Sequence, residues 1–298
     1  WFAEVNGNKI GKLTPSKVKP GTSDGIVEYE LPHANSKPQY LMVSRDDIVW
    51  FSEMGGNRIG RLDPETGIIR EYNIPTPNSE PHHLFESKDR KIWFTEFEAN
   101  KIGRLDPLMG EIKEFTVNEG HPHDLVVDDE YVWYTQGGKF WAKIFANKIG
   151  YLELESGKVG EIVIPPKKSV PHGMSLASDG TIWFTQFFAG KISRLDFSEE
   201  FPPKVVDYQI PGKRTGAHDL VVDYNKRWVW FVANHKDSIG KLDLTAADPE
   251  AGIQLFPLPT KGAHPSNLVL DKEGNVWFTE MGMYFRGRYQ NKIGKLVP

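Results

Sequence analysis

A short segment recurs seven times in this chain of 298 residues and constrains its fold more than any other feature. Its first half is Trp followed by Phe or Tyr, and its second half is Ile-Gly/Ser-x-Leu. Successive copies are 40 to 50 residues apart, a period typical of propellers and solenoids. The Trp residues are Trp1, Trp50, Trp93, Trp133, Trp183, Trp230 and Trp277, and the second halves begin at Ile10, Ile59, Ile102, Ile149, Ile192, Ile239 and Ile293.

Each repeat contains four short segments with β-strand character. In the third repeat they are residues 81–85, 91–95, 101–105 and 111–116, separated by turn residues. Such a sheet cannot be stable alone, but seven of them packed radially bury both faces. We therefore predict an all-β, seven-bladed β-propeller of four-stranded antiparallel blades, forming one domain over residues 1–298. The Trp residues should pack between blades, and the Gly of Ile-Gly should let a neighbouring sheet approach closely.

The strands, called A to D from the inside outward, do not occur equally often. The first blade lacks its inner strand A and the last blade lacks its outer strand D. Both would lie just upstream of Trp1. We expect the natural chain to extend upstream by roughly 15–25 residues, at typical strand and loop lengths.

The composition narrows the class of partner. A net charge of −4 argues against general nucleic-acid binding, which needs a basic surface. The chain has no Cys and no apolar run of membrane-spanning length. We expect a monomer that binds neither nucleic acid nor membrane, and the sequence leaves the compartment open.

Four His residues occupy equivalent positions, each following the first residue of strand A in blades three to six. In a propeller these positions meet around one axis, where imidazoles suit metal binding and proton transfer. The alternative is a hydrogen-bonded structural role. These candidates are His82, His123, His172 and His218.

The last residue of strand B should reach the same mouth of the central channel. A carboxylate or amide stands there in most blades, and together with His it could hold Mg²⁺ or Ca²⁺. The alternative is a polar ring that only hydrogen-bonds strand edges. We take Glu96, Glu280 and the nearby Glu80 as candidate metal ligands and Gln136 and Gln186 as candidate substrate ligands.

Two long loops between strands B and C, residues 136–147 and 280–291, are rich in aromatic side chains. We interpret them as walls of a ligand pocket, with loop-to-loop packing as the alternative. Basic residues on the same face favour an anionic small molecule or oligosaccharide. The substrate-binding candidates are Lys139, Trp141, Arg214, His264, Arg286 and Arg288, and the candidate proton donors are Tyr284 and Tyr289.

The repeated Trp-Phe-Thr-Glu, Asn-Lys-Ile-Gly-Arg-Leu and Ile-Pro-x-Pro-x-x-x-Pro-His segments resemble the virginiamycin B lyase (streptogramin B lyase) family. The resemblance covers all seven repeats and implies a seven-bladed propeller whose type member opens a cyclic depsipeptide by elimination at its ester. It also implies a His base and a magnesium ion held by carboxylates, within a Glu-Pro-His stretch and the following strand-B end of the last blade, helped by a His on the preceding blade. Here Glu80-Pro81-His82 matches that stretch in the third blade, whereas the last blade reads His264-Pro265-Ser266.

From these features we expect a carbon–oxygen lyase that works by β-elimination. The expected substrate is a glucuronate-containing glycan of the rhamnose–glucuronate type, followed by a streptogramin-like lactone. A non-catalytic propeller that binds sugar acids or peptides, or a metal-dependent lactone hydrolase, are the alternatives.

Overall fold

The chain folds as a seven-bladed β-propeller, which confirms the fold predicted from the repeats. In this computed structural model the described residues are 1–19, 21–139, 142–199, 201–283 and 288–298, with backbone only at 283 and 288–291. Within them, five sheets have four strands, and the first and last sheets have three. None of the described helices is long and apolar enough to cross a membrane.

Strands that follow each other along the chain are neighbours in their sheet. Blades one to three contain β1 (Phe2–Glu4), β2 (Lys9–Leu13), β3 (Ile26–Glu30), β4 (Pro38–Val43), β5 (Val49–Glu53), β6 (Arg58–Leu62), β7 (Ile69–Asn73), β8 (Pro81–Glu86), β9 (Ile92–Glu96), β10 (Lys101–Leu105) and β11 (Ile112–Thr116). Blade four contains β12 (Pro122–Val127), β13 (Tyr131–Gln136), β14 (Lys148–Glu153) and β15 (Val159–Val163).

Blades five to seven contain β16 (Pro171–Leu176), β17 (Ile182–Gln186), β18 (Lys191–Asp196), β19 (Lys204–Gln209), β20 (Ala217–Asp223), β21 (Trp228–Ala233), β22 (Ser238–Asp243), β23 (Gln254–Pro257), β24 (Pro265–Leu270), β25 (Val276–Met283) and β26 (Arg288–Leu296). Short 3₁₀ helices lie at Pro15–Lys17 and Asn234–Lys236.

The chain forms two compact units. The first consists of Trp1–Val132 with Leu152–Val159, and the second of Trp133–Tyr151 with Gly160–Pro298. The expectation of one domain over the whole chain stays a prediction.

The repeated Trp-Phe pair joins successive blades. Successive side chains of a strand point to opposite faces of its sheet, so the Trp faces the next blade and the Phe faces the previous one. Trp50 of blade two thus shares a core with Phe94 of blade three. In the second unit, Trp183 packs in the same core as Phe231, and Trp230 packs with Phe278. This confirms the Trp residues as packing elements between blades.

The Gly of Ile-Gly-x-Leu makes room for a ring of its own blade. A Cβ on Gly103 would lie 2.1 Å from Phe94 Cζ, and one on Gly60 would lie 2.1 Å from Phe51 Cζ. Each of these Gly residues is the cross-strand partner of that Phe. The sequence interpretation, which assigned the Gly to close approach of a neighbouring sheet, was therefore wrong: the Phe ring lies flat over the Gly of the adjacent strand.

The Asn before Lys-Ile-Gly holds the loop that leads into the next blade. Asn8, Asn57 and Asn100 are left-handed, with φ between 50° and 57°. Their side-chain oxygens accept backbone N–H groups of Ser36, Ser79 and His121, at 2.8, 2.7 and 2.9 Å. The repeat therefore fixes the loop between strand D of one blade and strand A of the next.

Blade four departs from the pattern at Tyr134, which takes the position of the Phe. Its ring is fully buried over Gly150, and its hydroxyl has no hydrogen-bond partner among the described residues. Burial, followed by the charge of Glu161, raises the pKa of Tyr134. An unpaired buried hydroxyl costs on the order of 1–3 kcal/mol.

We therefore expect Tyr134→Phe to raise the free energy of unfolding by about 1 kcal/mol, because it removes the unpaired hydroxyl and keeps the ring. Urea denaturation followed by tryptophan fluorescence measures the change. The matched control, Phe94→Tyr, adds a hydroxyl at the equivalent buried position and should destabilise by roughly 1–3 kcal/mol. Loss of stability in Tyr134→Phe would show that the hydroxyl has a partner.

Candidate active site

A β-bulge at the start of strand A presents the predicted His residues. In blades three, five and six the pairing shifts register between the first and fourth residues of the strand, which are Pro81 and Leu84, Pro171 and Met174, and Ala217 and Leu220. A bulge leaves its extra residue outside the regular ladder and redirects side chains. The second residue of each of these strands is one of the predicted His residues. The third residue differs between the blades and is His83, Gly173 or Asp219.

The Thr of Trp-Phe-Thr-Glu anchors the bulge of the following blade. Thr95 Oγ1 donates a hydrogen bond to the His123 carbonyl at 3.0 Å. Thr135 and Thr185 bond the carbonyls of His172 and His218 in the same way, at 2.7 and 3.0 Å. Ser52 takes the place of Thr in blade two and bonds the His82 carbonyl at 2.6 Å, so this strand position fixes the backbone of all four predicted His residues.

The residue before strand A has a left-handed backbone in six blades. Lys37, Glu80, His121, Val170, Gly216 and His264 have φ between 41° and 66°. This conformation costs a non-Gly residue roughly 1 kcal/mol and is further disfavoured before Pro. Its carbonyl accepts the N–H of the residue after strand B, as for Glu80 with Phe97 at 3.1 Å and Val170 with Phe187 at 2.9 Å. The strain is therefore held by a repeated contact next to the His positions.

The first histidine cluster, in the first unit, consists of His82, His123, His121 and Phe97. The rings of His82 and His123 are 4.1 Å apart between centroids. Both lie about the buried Phe97, at 6.2 and 6.1 Å, and the His121 ring is 5.0 Å from it. His121 Nδ1 lies 3.0 Å from the Phe97 carbonyl. Two predicted His residues are thus brought together around one aromatic ring.

The second histidine cluster, in the second unit, repeats this arrangement with His172, His218, His235 and Phe187. The His172 and His218 rings are again 4.1 Å apart. Phe187 lies 5.9 Å from each of them and 5.0 Å from His235. Phe187 is nearly fully buried, whereas His235 is exposed.

Backbone carbonyls fix the tautomers in the second histidine cluster. His172 Nδ1 lies 3.0 Å from the His218 carbonyl, and His218 Nδ1 lies 2.9 Å from the Ser266 carbonyl. A carbonyl can only accept, so Nδ1 carries the proton in both rings. Burial lowers the pKa of His218 to about 4, the Ser266 carbonyl opposes this, and His235 contributes to the lowering. His218 is therefore neutral at pH 7, and its Nε2 carries a lone pair.

His264 and Arg214 extend the second histidine cluster. The His264 ring lies 6.5 Å from that of His235, edge to face. Burial lowers the pKa of His235, and the nearby His264 and Arg214 lower it further. Asn234 connects these residues to blade seven, since its Nδ2 donates to the Pro265 carbonyl at 2.8 Å and its Oδ1 lies 3.3 Å from His264 Nδ1.

The residues at the end of strand B lie inside the blades. Gln186 Nε2 donates to Ser193 Oγ and Asp207 Oδ1, both at 2.7 Å, and Lys191 pairs with Asp207 at 2.6 Å. Gln136, Glu96 and Gln186 are all fully buried. The expectation that these residues face the channel opening was wrong, because they share the face of the buried Phe or Tyr two positions earlier. Their roles as substrate or metal ligands stay predictions.

In blade three, Glu96 takes the position that Gln186 has in blade five, and it does so as a protonated acid. It is hydrogen-bonded to Glu114, whose own partners are Lys101 at 3.1 Å and Thr76. Burial, followed by the charge of Glu114, raises the pKa of Glu96 to about 8. In blades four and five a neutral Gln stands at the same position, so no buried carboxyl group has to be protonated there.

The other predicted site residues are more scattered. Glu280 is buried, and its Oε2 has no partner among the described residues. The Glu80 backbone belongs to the strained loop above, and the Lys139 carbonyl accepts the N–H groups of Ala142 and Ile144. Trp141, Tyr284 and Arg286 lie outside the described residues, as do the side chains of Arg288 and Tyr289. No three His, Asp or Glu side chains within the described ranges are grouped so that they could hold a metal ion.

The sequence reasoning missed three His residues. His121 could have been found, because it stands at the repeated position before strand A that Glu80 holds in blade three. His235 lies in the segment after strand B, where the other blades have no His. His83 could have been found, because it is the residue after a predicted His. Its Nε2 lies 2.8 Å from Asp124 Oδ1, and its ring is 3.8 Å from that of Tyr40.

Comparison with known proteins adds to this geometry. The model of the virginiamycin B lyase family matches residues 1–140 and 135–296. The chain belongs to the virginiamycin B lyase family. A virginiamycin B lyase of Nocardia farcinica (strain IFM 10152) is 25% identical over 169 residues, which are 55% of this chain and 49% of that protein. The match thus spans about half the length of that curated relative.

Solved structures of virginiamycin B lyases match almost the whole chain. A streptogramin B lyase structure is 30% identical with a TM-score of 0.82, covering 99% of this chain and 88% of the other. A catalytically inactive His-to-Ala variant of the Staphylococcus aureus enzyme, solved with quinupristin, is 29% identical with a TM-score of 0.80, covering 98% and 89%. These relatives are lyases, and the family to which this chain belongs is named for that activity.

The difference between Glu96 and Gln186 gives a pH-dependent stability test. Because the pKa of Glu96 is raised in the folded state, that state keeps a proton which the unfolded chain loses between about pH 4.5 and pH 8. Stability should therefore fall as pH rises through this window. We expect Glu96→Gln to be nearly neutral at pH 5 and stabilising by about 3 kcal/mol at pH 9, measured by denaturant unfolding. The reverse change, Gln186→Glu, should introduce the same pH dependence, and a flat profile in both would contradict the assignment.

Proposed function

We propose that this protein is a carbon–oxygen lyase that opens the ring of a cyclic ester by β-elimination, at the second histidine cluster. The observation that carries the proposal is the state of His218, a neutral imidazole whose Nδ1–H is held by the Ser266 carbonyl. Membership in the virginiamycin B lyase family supports the reaction class.

His218 suits the role of general base. Elimination begins with removal of a proton from the carbon next to a carbonyl. A neutral imidazole can accept this proton at its unprotonated nitrogen, here Nε2. The proton moves to Nε2, the C–H electrons form the new double bond, and the C–O bond of the ester breaks at the neighbouring carbon. The His172 ring, 4.1 Å away, packs against the base, and Thr185 anchors its backbone.

His235 and Arg214 suit the charge that develops during this step. The oxygen of the activating carbonyl and the leaving carboxylate both gain negative charge, and preorganised donors stabilise such charge. His235 is exposed next to Phe187 and lies within the electrostatic reach of Arg214. We assign His235 to hydrogen-bond the leaving oxygen, and Arg214 adds positive charge to its surroundings.

The substrate proposed first is a lactone of the streptogramin type. The family and its relatives are named for virginiamycin B and streptogramin B, and one relative was solved with quinupristin. The glucuronate-containing glycan expected from the sequence has no counterpart among these relatives, so the lactone takes its place as the leading substrate class.

The resemblance also implies a magnesium ion, but the residues seen here do not fit it. In the last blade Ser266 and His264 stand where the family stretch has its His and Glu, and Ser266 Oγ donates to Asn267 at 2.9 Å. No described group of three acidic or His side chains could hold an ion. No step is therefore assigned to a metal, and a requirement for Mg²⁺ or Ca²⁺ stays a prediction that a chelator control addresses.

We expect His218→Gln to lower kcat/KM by at least about a hundredfold, as loss of a general base does, with a smaller loss for His235→Gln. The assay follows the ultraviolet absorbance of the new conjugated double bond when a streptogramin B lactone is opened, with and without chelator. His33→Gln, on an exposed His paired with Glu71, should keep full activity. Ring opening without a double bond would indicate hydrolysis, and binding alone would indicate a non-catalytic propeller.

The pH dependence provides a second test. Because burial lowers the pKa of His218 to about 4, the base should stay deprotonated well below the usual range of imidazole. We expect kcat/KM to stay level down to about pH 5 and to fall below about pH 4. The fold must be monitored by circular dichroism, since a buried neutral His reduces stability as pH falls from 6.5 towards 4. An acid limb near pH 6.5 would exclude His218 as the base.

A further inference from the structure

The loops next to the second histidine cluster carry an excess of positive charge. They are residues 164–170, 187–190, 210–216, 234–237 and 258–264, all within the second unit. Their cations are Lys167, Lys168, Lys213, Arg214, Lys236 and Lys261, and all six side chains are exposed. The same five segments contain a single carboxylate, Asp237. The field over these loops is therefore strongly positive in a protein whose net charge is −4.

None of these six cations has a carboxylate within ion-pair distance in the part of the chain that the structure describes. Elsewhere many Lys residues are paired, as Lys191 is with Asp207, Lys148 with Glu161 and Lys91 with Asp106, at 2.6 to 2.7 Å. The carboxylate of Asp237 accepts the N–H groups of Gly262 and His264, at 2.8 and 2.9 Å, so it is already engaged by the backbone. Within the described ranges, the six cations on these loops therefore have no carboxylate partner.

Arg214 and His235 are connected through the backbone. The N–H groups of His235 and Asn234 donate to the carbonyls of Thr215 and Gly216, at 3.1 and 3.0 Å. A Cβ on Gly216 would lie 2.9 Å from the His235 ring, so the loop with Arg214 packs directly on that ring. Lys236 extends over the same loop, with its Nζ 3.6 Å from the Cβ position of Gly212.

Among the described residues, the charged groups that act on His235 are His264 and Arg214, and both are basic. His218 on β20 also interacts with His235, and the loops that carry Arg214 and His264 contain Lys213 and Lys261 as well, with Lys236 next in sequence to His235. Phe187 adds an apolar wall. Burial lowers the pKa of His235, and the positive charge of His264 and Arg214 lowers it further. A bound anion would reverse the sign of this local field.

We propose that the substrate carries a carboxylate that binds beside Arg214, and that its binding brings a proton onto His235. The proposal rests on the proposed lyase function and adds a substrate class to it, an anionic cyclic ester. Once protonated, His235 is a stronger hydrogen-bond donor to the leaving oxygen, so the charge recognised in binding also prepares the chemical step.

Thermodynamic linkage makes the coupling reciprocal. If the bound carboxylate favours protonated His235 tenfold, protonation of His235 strengthens binding of the carboxylate tenfold. Affinity for the anion should therefore rise as pH falls through the pKa of His235. Because Arg214 is exposed, added salt should weaken the effect.

A matched pair of lactones tests the proposal. Two cyclic depsipeptides of identical ring are prepared, one with a Glu side chain and one with Gln, and opening of each is followed by the absorbance of the new double bond. We expect kcat/KM to be at least about tenfold higher for the Glu lactone at low ionic strength. The preference should shrink in about 0.5 M salt, where the Debye length is well below its value of about 10 Å at 0.1 M.

Variants locate the preference. Arg214→Gln should reduce the preference to about twofold or less, mainly by slowing the Glu lactone. The control Lys272→Gln removes the same charge from an exposed turn of blade seven and should keep the preference. An equal loss for both lactones in Arg214→Gln would overturn the assignment of Arg214.

Binding without turnover separates the two proposals. In the His218→Gln variant, His235 is titrated by NMR of its ring protons in the presence of each lactone, and His235→Gln identifies its signal. The Glu lactone should raise the pKa of His235 by about one unit, equivalent to tenfold coupling, and the Gln lactone should leave it unchanged. If wild-type protein opens neither lactone but this shift occurs, the lyase function fails and the carboxylate site stands. Turnover of both lactones at equal rates without the shift overturns the carboxylate site alone.

Discussion

The contact between the Trp of one blade and the Phe of the next is the interaction on which the rest of the structure depends. Because side chains alternate along a strand, one dipeptide serves both faces of its sheet. Trp50 packs with Phe94, and Trp183 with Phe231. The Phe ring can lie low only because the adjacent strand has no Cβ at Gly103 or Gly60. The Ile-Gly and Trp-Phe halves of the repeat are therefore one structural unit.

Strand B also connects the packing between blades to the candidate site. One residue after the Phe, the Thr side chain hydrogen-bonds the backbone of the His that begins the next inner strand, as Thr185 does with His218. Two residues after the Phe, the Glu or Gln turns back into its own blade. Thr is thus the link between core packing and His geometry. A shift of the Trp and Phe contact would be transmitted to the imidazole through one hydrogen bond.

The repeat predicted the fold and the four equivalent His residues, because both follow from periodicity. The orientation of the last residue of strand B was predicted wrongly, although it follows from the alternation of side chains between the two faces of the sheet. Glu96 is two residues from Phe94 and must share its face, whereas Thr95 shares the face of Trp93. The partners of those His residues could not be predicted in the same way. The backbone bonds of Asn234 and His235 to Gly216 and Thr215 repeat in other blades, but His235 and Arg214 are residue types that occur at those positions in blade six alone among the described loops. The Tyr and Arg candidates of loop 280–291 stay predictions.

The low pKa of His218 sets a condition on any elimination at this site. A base that is protonated only near pH 4 is always in its active form at pH 7, but it is a weak proton acceptor. Its basicity would increase if negative charge entered the desolvated surroundings that lower it. A carboxylate bound beside Arg214 would bring such charge to the loops around both His218 and His235. Recognition of an anion and activation of the base would then have one electrostatic cause, and a neutral ester would receive neither benefit.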